Sequence, residues 1–298
     1  MNSEPPGDEL RCPIRVSSLH LYPLKSAAGL TPDEVRLDRT GFESDRRWML
    51  TDPDGRFLTQ RELPRLGLIR AEVIEGHLWL WLPGEAVARA VADSPAAPEL
   101  RQVRIWEDTL SAREPDPDVS QRLSSWLGRP VRLVAFEADK LSPRLSSRRW
   151  TGDLAAENAF SDGFPILVIS TASLVELNRR LVAAGHPAVP MARFRPNLVL
   201  DLGDELGAHG EDSLDTLHLV GPDGPVVLRL VKPCPRCPIP NLDPLTAEAG
   251  VEPGLTLSGY RADARVGGAI TFGMNAVIVE GIGRRLRVGT PGSAIVAF

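Results

Sequence analysis

The sequence predicts a mainly β fold with helical insertions, an α+β chain of two β-rich units, and three observations carry that prediction. Short apolar or alternating runs punctuated by Gly, Pro and Asp recur along the chain, the pattern of half-buried strands. Helical periodicity is confined to a short stretch ending at Gly128 and a longer one starting near Thr171. A stretch without periodicity, 138–158, reads as a connection between the strand-rich halves. With 298 residues, the chain can bury two cores without disulfides or metal. The units are therefore placed at 13–137 and 159–298, with 138–158 as linker.

Taken in order, the opening residues 1–12 are polar and acidic, carry two prolines and lack the cationic start and apolar stretch of an export signal. They read as a loose tail. Next, SSLHLYPLKS, DEVRLD, RRWMLTDPDGRFLTQ, GLIRAEVIEG and HLWLWLPG are strand-like. Within them Asp52-Pro53-Asp54-Gly55 predicts a tight turn, because Asp-Gly tolerates the positive φ that hairpins need. The run VRIWEDTLSAREP adds strand, and DVSQRLSSWLG reads as a helix with Asp118 near its start and Gly128 at its end. Arg144, Arg148 and Arg149 in the linker are read as solvated, with an anion contact as the rival. FPILVIS predicts a buried strand. The following helix is capped by Ser170 or Thr171, shows Leu174, Leu177 and Leu181 on one face and stops at Gly185. RPNLVLD, LHLV, VVLRLVKP, AVIVEG and SAIVAF are strands again.

Composition narrows the function. Apolar residues make up 43% and charged residues 24%, as in folded soluble proteins. The net charge of −5 argues against a general nucleic-acid surface, so any basic site is local. Apolar runs fall far short of the roughly 20 residues a bilayer span needs, so no membrane span is expected. Three cysteines, Cys12, Cys234 and Cys237, do not form the framework of a secreted protein. A cytoplasmic, reducing location is expected.

The chemistry-bearing segment is VKPCPRCPIPNLDP, 231–244, which reads as a rigid proline-dense loop after a strand. Its C-x-x-C pair is open to several readings. Structural zinc needs two further ligands, and only Cys12 and distant histidines remain. A thioredoxin-like dithiol needs a helix start, which Pro238 and Pro240 oppose. A single thiolate acting as metal ligand or nucleophile fits the neighbouring Lys232 and Arg236; two ordinary loop cysteines fit the spacing as well. Lys25 near a strand end, Arg46 at the opening of the 46–60 hairpin and Arg195 supply cations from three segments that could converge on a phosphate. Asp45 reads as a residue that orients an arginine. Dinucleotide, Walker, G-x-S-x-G and H-E-x-x-H signatures are missing, and the tryptophans Trp79 and Trp81 read as core packing.

Taken together and in order, YPLKS, DRRW, the RE-P-RL of 61–66, FSDGFPILVIS, RFRPNLVLD, KPCPRC-IP-LDP and FGMNA resemble the MOSC family, over roughly 14–295. The likeness is to its amidoxime-reducing branch. It implies two β-barrel-like domains, a MOSC N-terminal β-barrel followed by a MOSC domain, and a molybdenum-pterin cofactor. Cys237 matches the family's molybdenum ligand. Lys25, Ser26, Arg46, Asp162, Arg195, Pro235, Arg236 and Asn275 match positions that contact the cofactor. Gly163 and Phe164 stand where the mitochondrial relatives carry small hydroxyl residues, and Asn275 where they carry an aromatic one. Those departures alter pocket shape.

The resemblance implies reduction of small N-oxygenated substrates such as amidoximes. Without a haem, iron–sulfur or flavin motif in the sequence, electrons are expected from a separate ferredoxin or cytochrome b5-type donor and its reductase. The alternative is a molybdenum cofactor carrier or a sulfur-transfer protein bearing a persulfide on Cys237, since the MOSC domain also occurs in cofactor sulfuration proteins.

Overall fold

The computed structural model describes residues 10–91, 100–137 and 140–297. The acidic opening up to position 9, the first two positions of the expected linker and the last residue of the chain lie outside the described residues. The fold is mainly β, with few helices.

Seven strands close into a ring. Around it run Ile166–Ser170, Leu198–Asp201, Arg11–Leu19, Pro291–Val296, Leu214–Gly221, Gly224–Pro235 and Ala269–Glu280, which pairs back onto Ile166–Ser170. Neighbours are antiparallel except Ile166–Ser170 and Leu198–Asp201, which run parallel. A parallel pair needs a crossover, and the helix Thr171–Ala183 supplies it. Ser170 Oγ caps that helix by accepting from Ser173 N at 3.1 Å. Alternation along Ile166–Ser170 explains its unbroken apolar run. Val168 joins the barrel core with Ile14, Leu198, Leu217 and Leu228. Ile169 faces the other way and packs with Leu177, Leu181, Phe194 and Phe272 beneath the helix.

The strand Arg11–Leu19 starts before the expected run and lies between strands of the second half, bound to Leu198–Asp201 and Pro291–Val296. Pairings separated by nearly the whole chain leave no local signature. Glu34–Asp38 and Gly41–Phe42 pair with Arg285–Arg287 and add Val35, Leu37 and Phe42 to the barrel core, and the remaining strands of the first half pack a four-stranded sheet against a three-stranded one. Trp48–Thr51, Arg132–Ala135, Asp108–Arg113 and Leu100–Ile105 form the first, and Arg70–Ile74, His77–Trp81 and Arg89–Ala90 the second. Leu50 and Leu133 meet Leu78 and Leu80 in the core between them, with Val119 and Leu123 of the helix Pro117–Leu127. Leu78 and Leu80, not the tryptophans, fill this core: Trp79 and Trp81 occupy the alternate face, where the Arg70 guanidinium lies 4.7 Å from the Trp81 ring.

Three further details refine the sequence reading. Asp116 caps the helix Pro117–Leu127, accepting from Asp118 N and Val119 N, and Asp118 lies in its first turn as expected. The predicted turn forms at Asp52–Gly55, with Gly55 at φ 82° and its N–H on Asp52 O. The proline-dense segment begins as strand, since Gly224–Pro235 runs on past Pro233. Its pairing with Leu214–Gly221 ends at Arg229, and beyond that Ala269–Glu280 is the only strand paired with it among the described residues. Pro233 and Pro235 fall in this one-sided stretch, where a missing donor need not cost a ladder bond.

Candidate functional site

Backbone strain marks the site. Of the eight non-glycine residues with positive φ among those described, three belong to it: Ser26, Arg46 and Arg195, at 65°, 46° and 55°. Such conformations cost free energy and persist only where the surroundings enforce them. All three line one cleft, together with Lys25, Asp162, Pro235, Arg236, Cys237 and Asn275. The residues that the resemblance assigns to the cofactor are thus brought to a single place.

Its floor is a web of charge. Lys25 is buried, and its Nζ donates to Asp162 Oδ1 at 2.6 Å and to Phe160 O at 2.8 Å. Burial lowers the Lys25 pKa despite the ion pair. Desolvation opposes ionisation of Asp162, but the Lys25 charge and hydrogen bond, with Arg46 behind them, hold its carboxyl well below the ordinary range. Asp45 is buried and does orient an arginine: its carboxylate accepts from Tyr22 N at 2.8 Å, from Asn197 Nδ2 at 3.0 Å and from Arg46 Nη1. Arg46 Nη2 donates to Arg195 O at 3.1 Å, and Arg195 Nη1 to Ala27 O at 2.6 Å. Burial, opposed by Tyr22 and reinforced by Arg46, pulls the Arg195 pKa down to about 10.

The two loop cysteines differ. Arg236 Nη1 donates to Cys234 Sγ at 3.3 Å, and Arg236 Nη2 to Phe194 O at 2.9 Å. Cys237 is a half-buried free thiol, and among the described residues its sulfur has no hydrogen-bond partner. Asn275 Nδ2 donates to Lys232 O at 3.2 Å, tying the irregular strand to its neighbour beside the cleft. At the rim, Lys232 Nζ lies 5.4 Å from the Trp150 ring and 5.8 Å from the Phe164 ring. Arg144 is not a solvated linker residue. It pairs with Asp108 and donates to Ser161 O and Asp162 O at 2.8 and 3.0 Å, fastening the loop that carries Asp162.

Thr59, Arg61, Phe194 and Asn197 also line the cleft and were not among the expected site residues. Arg61 and Asn197 belong to the RE-P-RL and RFRPN runs, so the signal was present as motif but not as chemistry. Within the cleft, two guanidinium nitrogens, Arg195 Nη2 and Arg236 Nε, are buried without a partner. A buried donor left unpaired is costly, and these two are available to an anion. Soft thiolate, clustered cations and unused donors form a set that fits a metal-bearing cofactor with a phosphate. Among the described residues no cluster of three or more His, Cys, Asp or Glu side chains is arranged to hold a metal ion.

Comparison with known proteins finds a match for each half of the chain. Residues 13–130 match the MOSC N-terminal beta barrel domain and residues 155–293 the MOSC domain. The chain is 33% identical over 293 residues to mitochondrial amidoxime reducing component 2 of Rattus norvegicus, covering 93% of this chain and 82% of the relative. It is 34% identical to mitochondrial amidoxime-reducing component 1 of Mus musculus, covering 83% of this chain and 71% of that protein. It is 29% identical to the molybdenum cofactor sulfurase of Arabidopsis thaliana, covering 87% of this chain but 32% of that longer protein.

Proposed function

Since the chain belongs to the MOSC family, with a molybdenum cofactor-associated function, we propose that it is a molybdoenzyme that reduces N-hydroxylated compounds such as amidoximes. The observation that carries the reading is the convergence of the Cys237 thiol with Lys25, Arg46, Arg195 and Arg236 in one cleft. Cys237 would ligate the metal. Ser26, Arg46, Arg195 and Arg236 would hold the phosphate and pterin, with Lys25 and Asp162 fixing the cleft floor and Pro235 and Asn275 shaping the wall. A bound molybdenum-pterin supplies a two-electron redox centre for removing a nitrogen-bound oxygen; the protein supplies ligation, orientation and electrostatics.

This chain's own residues set the conditions. Asp45 neutralises part of the Arg46 charge and fixes its direction, so the remaining positive charge points to the cleft. Phe164 lines the cleft, with its ring 5.8 Å from Lys232 Nζ. No helix among the described residues is long and apolar enough to cross a membrane. The thiols of Cys12, Cys234 and Cys237 are unpaired, which suits the proposed cytoplasmic setting.

The test is molybdenum content together with benzamidoxime reduction using an artificial electron donor. Metal-loaded protein inert towards all N-oxygenated substrates would end the activity claim. The similarity to a cofactor sulfurase favours one second reading, a carrier whose Cys237 bears a persulfide. A sulfur adduct by intact mass with little bound metal would favour that reading.

A further inference from the structure

We infer that Tyr22 is a positioning residue for the anion seat, its ring holding the Arg46 and Arg195 guanidiniums in place for a phosphate group. Both guanidinium carbons lie over this one ring, at 4.3 Å for Arg46 and 4.1 Å for Arg195. Two like charges this close repel, and Asp45 pairs with only Arg46. The electron-rich face of an aromatic ring attracts each cation, most strongly where water is excluded. Tyr22 is 1% exposed. Its backbone serves the same end, since its N–H donates to Asp45 Oδ1 at 2.8 Å and its carbonyl accepts from Arg46 N at 2.8 Å.

The hydroxyl is not the working part. Tyr22 Oη is buried without a hydrogen-bond partner, and burial pushes its pKa up to about 12. The ring's place is set from outside by Gly29, where an added Cβ would fall 2.3 Å from Tyr22 Cε1. Any side chain at 29 must displace the ring, and with it the platform under both arginines. The partnerless Arg195 Nη2 is then the donor a phosphate oxygen takes up.

The phosphate's identity as part of a pterin cofactor rests on the proposed function; the seat itself is tested without it. Full-length protein from a host unable to make the molybdenum cofactor is labelled with ¹³C-tyrosine. The chain has only two tyrosines, so Tyr22 and Tyr260 are resolved while inorganic phosphate is titrated in. The expected result is that the Tyr22 ring signals move with saturation and those of Tyr260 do not. Tyr22→Phe binds phosphate within about twofold of the wild type, whereas Tyr22→Leu and Gly29→Ala bind it on the order of tenfold more weakly. Should Tyr22→Leu fail to fold, the wild-type titration and Gly29→Ala still decide. Phosphate binding that leaves Tyr22 unmoved, folded Tyr22→Leu or Gly29→Ala with wild-type affinity, or no phosphate binding by the wild type overturns the inference. Failure of the functional reading looks different: protein from a cofactor-competent host would lack molybdenum while the phosphate seat behaved as described.

Discussion

Lys25 and Asp162, 137 positions apart in the chain, are joined by a 2.6 Å hydrogen bond from Nζ to Oδ1 at the floor of the cleft. The bond ties a residue just after the first barrel strand to the loop entering the barrel strand at Ile166. Lys25→Met would leave the Phe160 carbonyl without its donor and Asp162 without its partner. The expected cost is about 1–3 kcal/mol of stability, with loss of bound cofactor. Equilibrium denaturation and metal analysis check both; unchanged stability and full metal content would show that the pair holds nothing.

Asn197 joins three segments with one side chain. Its Oδ1 accepts from Leu167 N at 3.2 Å, and its Nδ2 donates to Asp45 Oδ2 at 3.0 Å and His20 O at 3.4 Å. Asn197→Asp places a second carboxylate against Asp45 and is expected to destabilise by more than Asn197→Ala, which itself costs about 2 kcal/mol. Urea unfolding of the two variants reads the order, and a more stable aspartate variant would contradict it.

How much of this could be read from the sequence depended on whether the cause was local. The helix from Thr171 was legible because Ser170, Leu177, Leu181 and Gly185 each act within a few residues of their cause. Ring closure was legible only through the family resemblance and not from local pattern, because Arg11 pairs with Ile295 across almost the whole chain. The prolines at 233 and 235 read as loop because their effect on pairing depends on which side a partner strand lies. In the cleft, Lys25, Arg46 and Arg195 were recognisable as cations that could converge. Tyr22 and Asn197 were not, since a buried ring and amide gain their roles only from the arginines and aspartate folded against them.

His209 predicts acid sensitivity. Its ring packs 5.6 Å from Tyr260 and 5.8 Å from Phe272, and neither ring nitrogen has a partner. Burial, with Arg261 adding to it, lowers its pKa to about 4. A base with a depressed folded pKa costs nothing while both states are neutral. As pH falls below the unfolded value near 6.5 the unfolded chain takes up the proton first, so stability declines until about pH 4 and then levels off. The loss is at most about 3 kcal/mol. His20, whose pKa burial and Arg46 also lower to about 4, contributes in the same window. His209→Phe should flatten the stability profile between pH 6.5 and 4 without abolishing its slope; an unaltered profile would refute the assignment.

The electron source is the next expectation. The sequence carries no flavin, haem or iron–sulfur motif. Purified protein should be inactive with NADH alone and gain activity when a ferredoxin or cytochrome b5-type protein and its reductase are added. Steady-state amidoxime turnover under both conditions checks this, and direct turnover with NADH in a homogeneous sample would contradict it.

The central claim is that Cys237 is the metal ligand and Cys234 is not, and the two thiols already differ in the structure. Both cysteines line the cleft, but Cys234 Sγ accepts from Arg236 at 3.3 Å, whereas the Cys237 sulfur has no such partner among the described residues. Cys237→Ala should abolish reduction and lose most molybdenum, with residual cofactor held through Lys25, Arg46 and Arg195. Cys234→Ser should keep metal and most activity, at a stability cost of about 1 kcal/mol. Molybdenum content and amidoxime turnover measured side by side on these variants decide the matter: loss confined to Cys237→Ala supports the account, and loss confined to Cys234→Ser, or equal damage in both, contradicts it.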